Sequence, residues 1–235
     1  MILLILILIL IITVAIIINY KNMKNIKNNI NIDKYIDMIY YINLDTREDR
    51  KHHIINELSK TNISKDKITR ISATYDIKGA IGCSKSHINI LKKFIESNYN
   101  NCLILEDDFK FVQDTQTINQ ILENFFTNNI DYDLLMLSSN TIKDTTTKYK
   151  FINKVIDAQT TSGYIVSKKF APVLLKHNID GLKLLEETKN DSLYCIDRYW
   201  KKLQPISNWY VCNPKIGNQI ESYSDIEKKQ VNYQA

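Results

Sequence analysis

The chain has 235 residues, 44% of them hydrophobic and 24% charged, with a formal net charge of +5. That length suits one α/β domain with a sizeable core, and there is neither an internal repeat nor a sign of a second domain. Three of the positive charges, Lys21, Lys24 and Lys27, lie in a tract without acids, so the rest carries only +2, too little for a nucleic-acid-binding surface.

Residues 1–18 are uncharged and interrupted only by Thr13. At about 1.5 Å per residue such a helix spans roughly 27 Å, close to a bilayer core of about 30 Å. The run predicts a membrane anchor over residues 1–19 rather than a cleaved signal peptide, which would carry a basic start and a small-residue cleavage site. Residues 20–33, biased to Asn, Lys and Ile, predict a polar stalk, and residues 34–235 the globular domain. The lysines follow the apolar run, which predicts that the domain faces the cytosol. Four cysteines and the sequons at Asn62 and Asn190 favour the lumen instead.

The first strand is predicted over Met38 to Ile42, rich in β-branched and aromatic residues. A helix follows from about Arg47, with Asp45 or Thr46 as its cap and Ile54, Ile55 and Leu58 at helical spacing. The loop between them offers backbone N–H groups and the guanidinium groups of Arg47 and Arg50, an environment for a diphosphate. The alternative is a surface helix whose arginines pair with Glu48 and Asp49. A strand over Lys67 to Ala73, a flexible turn at Gly79 to Gly82 and a helix from Ser84 to Ser97 come next. Cys83 and His87 lie one helical turn apart, but two ligands do not complete a zinc site, and buried thiols are the simpler reading for all four cysteines.

Leu103, Ile104 and Leu105 form an apolar run that ends in Glu106, Asp107 and Asp108. A buried parallel strand explains the run, and the carboxyl end of such a strand is where open α/β sheets bind ligands. If the extended geometry persists, Glu106 and Asp108 point to one side and Asp107 to the other, an oxygen set suited to Mg²⁺ or Mn²⁺. A solvated acidic turn is the competing reading. Beyond it, a helix over Thr117 to Phe126, strands at Leu134 to Leu137 and Gly163 to Val166, a helix from Asp191 to Lys202 and a strand at Trp209 to Cys212 complete a mostly parallel sheet flanked by helices.

Several of these segments together carry a resemblance: Tyr41-Ile42-Asn43-Leu44-Asp45 with Arg47, Asp49 and Arg50; Ile81-Gly82-Cys83 with Ser86-His87; and Glu106-Asp107-Asp108. Thr161 to Ser167, Ile196-Asp197, and Gln219 through Ser224-Asp225-Ile226 extend it. In order and approximate spacing the chain resembles glycosyltransferase family 25, which includes lipopolysaccharide-type and procollagen galactosyltransferases. The resemblance implies a GT-A-like fold and transfer of a sugar, typically galactose, from a UDP-sugar to a hydroxyl of a glycan or glycoprotein, with inversion and a divalent metal. It implies Asp108 and Glu106 as metal residues, Glu106 also serving the ribose or a metal-bound water, and Asn43, Asp45, Arg47, Arg50, Ser86 and His87 around the donor. Asp197 is the first candidate for the base an inverting reaction needs, with Asp107 grouped beside it; the structural alternative for Asp197 is a surface pair with Lys201. Two other classes fit the acids: a metal-dependent phosphodiesterase or nucleotidyltransferase, and an inactive membrane-tethered glycan-binding module.

Overall fold

The computed structural model describes residues 7, 10–17, 29–224 and 229–231. In chain order it forms β1 (Met38–Asn43), α1 (Glu48–Ser59), β2 (Ile68–Ser72), α2 (Gly79–Glu96), β3 (Asn101–Glu106), β4 (Phe109–Phe111) and α3 (Thr115–Thr127). The second half contains β5 (Leu134–Met136), β6 (Asn140–Thr146), β7 (Ile152–Gln159), β8 (Gly163–Ser167), α4 (Ala171–Thr188), α5 (Asp191–Tyr194), α6 (Ile196–Tyr199), β9 (Trp209–Cys212) and β10 (Gly217–Gln219). A hairpin of β11 (Ser222–Ser224) and β12 (Lys229–Val231) follows.

Eight strands make one sheet in the order β2-β1-β3-β8-β5-β9-β7-β6. β1 pairs in parallel with β2 and β3, and β5 with β9, whereas β8 runs against both β3 and β5 and β7 against β9 and β6. The sheet is therefore mixed, with β7 and β8 opposing the other six. The expected mostly parallel sheet holds for the first half, and β6 and β7 are strands that sequence patterning did not register.

Side chains alternate across the sheet, and each face has its own core. Ile39, Tyr41, Leu103 and Leu105 join Ile54 and Leu58 of α1 and Ile118, Ile121 and Phe125 of α3 on one face. Tyr40, Ile42, Cys102 and Ile104 join Ile90, Leu91 and Phe94 of α2 and Leu174 of α4 on the other. Each such aliphatic or aromatic side chain contributes about 1.5–3 kcal/mol by leaving water. The same parity aims the polar residues at the strand ends: Asn43 continues the α1 face and Glu106 the α2 face.

Three expectations about the frame need correction, and one helix is an addition. Ile30, Ile32 and Ile36 are buried, and the Asn62 side chain accepts from the backbone N–H groups of Ile32 and Asp33 at 2.9 and 3.2 Å, so residues 30–33 belong to the domain and not to a stalk. The Gly79–Gly82 segment is the first turn of α2 rather than a flexible turn. A Cβ on Gly82 would lie 2.4 Å from Thr74 O, so this glycine serves close packing. The helix predicted from Asp191 to Lys202 is broken at Cys195, whose ψ of 151° is extended, into α5, α6 and a 3₁₀ turn (Trp200–Lys202). Finally, α4 begins with a proline in its first turn, where the missing N–H costs nothing, and was not anticipated.

Among the described residues no helix is long and apolar enough to cross a membrane. Residues 10–17 are helical with exposed apolar side chains. The rest of the predicted anchor, except residue 7, lies outside the described residues, as do the predicted stalk up to residue 28 and the Asp225-Ile226 part of the late motif.

Candidate active site

The acidic stretch begins where β3 ends. Extended geometry stops at Glu106, and Asp107 and Asp108 form a turn before β4, so the expected alternation of the three acids does not continue past the strand. The turn is anchored by Phe109, whose ring lies against two glycines: a Cβ on Gly163 or Gly217 would meet it at 2.5 or 2.2 Å. No larger residue fits either position without moving the ring, and the ring fixes the acids before it.

The turn distributes the three carboxylates to different partners. Glu106, on the α2 face, lies 3.1 Å from Nε2 of His87 and accepts from Oγ1 of Thr161 at 2.5 Å. Burial pushes this carboxyl up, but the His87, Thr161 and Arg50 contacts outweigh it and hold it below its ordinary value. Asp107, on the α1 side, accepts from Nδ2 of Asn43 at 2.8 Å and from Arg50 at 3.2 Å. Burial raises its pKa, with Asn43 and Arg50 opposing. Asp108 lies 3.6 Å from the Arg50 guanidinium and accepts from Nε2 of Gln219 at 3.3 Å through Oδ2, while Oδ1 is buried with no hydrogen-bond partner. Burial and the neighbouring Glu106 raise Asp108 to about 7.

The loop after β1 sends the two arginines to different partners, only one of which was anticipated. Arg47 pairs with Asp49 at 2.8 Å on the helix surface, and Arg50 turns to Asp107 and Asp108. Asn43 is the hinge of this side: it donates to Arg47 O and to Asp107, and accepts from Arg70 at 3.0 Å. Asp45 does not cap α1; it bonds Arg70 and Ser72 at 2.5 and 2.9 Å, and α1 starts at an N-cap, Arg47, without a side-chain cap. Ser86 is fully buried, donating to Gly82 O and accepting from Thr74 N, both at 2.8 Å, so its hydroxyl fastens the entry to α2. His87 is likewise buried, with Nδ1 at 2.9 Å from the Tyr164 hydroxyl.

A cavity of about 600 Å³ opens beside Glu106. Its lining includes Cys83 from α2, Thr160 and Thr161 from the β7–β8 connection, Cys195 and Asp197 around α6, and Gln219 at the end of β10, with Asp191, Ser192 and Arg198 also in its wall. Asp107 and Asp108 lie outside this lining and are buried, so Asp108 reaches the wall through Gln219. Asp197 does not pair with Lys201, whose ammonium sits 2.6 Å from Asp157, a contact governed by charge more than by hydrogen-bond direction. Its carboxylate instead accepts from the backbone N–H of Thr160 and from the Cys195 thiol, both at 3.2 Å. Burial, helped by Asp197, pushes that thiol up to about 12, so it carries the proton it donates.

Cys83, His87 and Glu106 bring one ligand atom each within 4.8 Å of one another. The sequence showed only the first two. Both ring nitrogens of His87 already have partners, and burial holds the Cys83 thiol well above its ordinary value, so the trio is a hydrogen-bonded cluster around Glu106. Cys102 and Cys212 are the fully buried thiols expected; Cys83 and Cys195 are half-buried and line the cavity. Sequence patterning missed Thr160 as a cavity residue, and Gln219 was visible only through the family resemblance.

The family model described as glycosyltransferase family 25 (LPS biosynthesis protein) matches residues 77–181. No curated protein matches the chain. Solved structures similar to it include mannose-1-phosphate geranyltransferase from Thermus thermophilus, with 7% identity over 75% of this chain and 73% of that chain and a TM-score of 0.43. A197 from STIV has 13% identity over 85% and 97%, with a TM-score of 0.46. A glycosyltransferase involved in the glycosylation of the major capsid of PBCV-1 has 12% identity over 81% and 95%, with a TM-score of 0.43.

Proposed function

Because this chain is a glycosyltransferase, matched by family 25 over residues 77–181, we propose that it transfers a hexose, galactose first, from a UDP-sugar to a hydroxyl of a glycan or glycoprotein, with inversion and on a GT-A-like fold. The observation that carries this reading is the cavity in which Glu106, Asp197 and Gln219 meet from positions far apart in the chain.

The residues present fit a hard divalent cation such as Mn²⁺ or Mg²⁺. Glu106 and Asp108 supply oxygen donors, and the unpartnered buried Oδ1 of Asp108 lacks the hydrogen bond such an atom ordinarily has. Glu106 and Asp108 would hold the cation, which when bound stabilises negative charge on the diphosphate leaving group. Arg50 holds the acidic turn against α1, and Phe109 keeps it in register with the cavity. His87 and Thr161 orient Glu106. Asp197 takes the proton of the acceptor hydroxyl as its oxygen attacks the anomeric carbon. Its two hydrogen bonds fix its orientation and leave lone pairs for that proton, since a carboxylate accepts at about four positions.

The test is release of UDP from a panel of UDP-hexoses with Mn²⁺ and with EDTA. Slow metal-dependent hydrolysis, accelerated by an acceptor, is expected. No release from any donor, or a preference for phosphodiester substrates, overturns the reading.

We place the domain in the cytosol, tethered by residues 1–19. Support comes from the lysines that follow the apolar run and from the sequons. Asn62 spends its amide on Ile32, Asp33 and Asn31, and Asn190 adjoins Asp191 and Ser192 of the cavity wall, where a glycan would obstruct entry. Protease added to sealed membranes is expected to digest the domain, and an endoglycosidase-sensitive, protected domain reverses the assignment.

A further inference from the structure

Three non-glycine residues among those described have positive φ: Asn129, Thr160 and Lys189. Lys189 is the C-cap of α4 and Asn129 follows the C-cap of α3, positions where a left-handed residue ends a helix. Thr160 ends no helix. It follows β7 with φ 78°, a conformation that a β-branched residue adopts only at a cost.

That conformation serves two contacts. The Thr160 backbone N–H donates to Oδ2 of Asp197 at 3.2 Å, and its hydroxyl donates to Oε1 of Gln219 at 2.8 Å. Gln219 in turn donates through Nε2 to Asp108 at 3.3 Å. With Asp108 ionised, the amide presents its NH₂ to that carboxylate, and its oxygen accepts from the hydroxyl of Thr160. Two acids separated by 89 positions are thereby joined through one strained residue and one amide.

We propose that Thr160 and Gln219 act as a positioning relay that sets Asp197 relative to Asp108, so that strain at Thr160 is spent on turnover and not on folding or donor binding. The relay rests on the transferase reading above. In the wild-type context, Thr160→Ala and Gln219→Ala should each lower kcat about 10- to 100-fold, the range in which small misplacements act, with donor KM changed no more than about twofold. The double variant should lose no more than either single one, because both cut the same line. Thr160→Ser, which keeps the hydroxyl, should recover most of the rate. Thr160→Gly should be as slow as Thr160→Ala yet melt at a higher temperature, because glycine accepts the left-handed backbone that alanine resists.

Multiplicative losses in the double variant, a Thr160→Ser enzyme as slow as Thr160→Ala, or a Thr160→Gly protein that melts below Thr160→Ala would each overturn the relay while an active wild type leaves the transferase reading standing. A wild-type protein that releases UDP from no donor removes both.

Discussion

The two sides of the acidic turn are built to different specifications. On the α1 side, both oxygens of Asp107 are partnered, by Asn43 and Arg50, and Asn43 is itself held by Arg70. On the other side, Asp108 keeps an unpartnered oxygen, Gln219 reaches it at 3.3 Å, and Thr160 carries a strained backbone. A buried polar group without a partner costs about 1–3 kcal/mol, and a β-branched residue at positive φ adds a cost of its own, so a fold selected for stability alone would not have kept both beside Asp108. The difference teaches that the α1 side supports the turn and the Thr160 side serves the reaction.

The sharpest break of that comparison is Asp108→Asn. Transfer should fall about 10³-fold or more, since charge stabilisation at the leaving group is lost. Stability should move the other way. Asp108 titrates at about 7 in the fold against an ordinary 3.8, so its ionisation opposes folding increasingly as pH rises from about 4 to 7 and fully above that. In EDTA the Asn variant should therefore gain stability at pH 8 and nearly none at pH 4. Denaturant melts at the two pH values check this, and a variant destabilised at pH 8 would place Asp108 on the supporting side.

Asp197→Asn comes next, with kcat lowered about 10²-fold or more and donor affinity retained. Equal losses in kcat and in donor binding, read by single-turnover kinetics and calorimetry, would make Asp197 a binding residue. Asn43→Ala tests the supporting side. It leaves Asp107 and Arg70 short of buried partners and should cost about 2–4 kcal/mol in unfolding free energy, with activity falling only as the fold loosens. Lys201→Ala should be the smallest effect, within about 1 kcal/mol and with turnover unchanged, because its partner is the partly exposed Asp157. A large rate loss there would restore the pairing of Lys201 with Asp197 that the sequence allowed.

Local chemistry determined much of this protein by sequence alone. Apolar runs rich in β-branched, aromatic or aliphatic residues marked β1, β3, β8 and β9, because such side chains fit a pleated surface covered on its faces. The abrupt end of Leu103-Ile104-Leu105 in three acids located the site, since an apolar run can stop there only at the edge of the core. What each acid does was decided by tertiary structure. Alternation predicted Glu106 with Asp108, but the slot that Gly163 and Gly217 leave for Phe109 bends the chain after Glu106 and sends each acid to a different neighbour. Asp197 and Lys201 are spaced as a helical pair, yet the change from α6 to a 3₁₀ turn at Trp200 and the contact with Asp157 lie in packing that no local window contains. Thr160 carries no local signal of its left-handed backbone, because threonine is not a residue that favours it. In that conformation it bonds Asp197 and Gln219, 37 and 59 positions away, and only the folded chain brings them together.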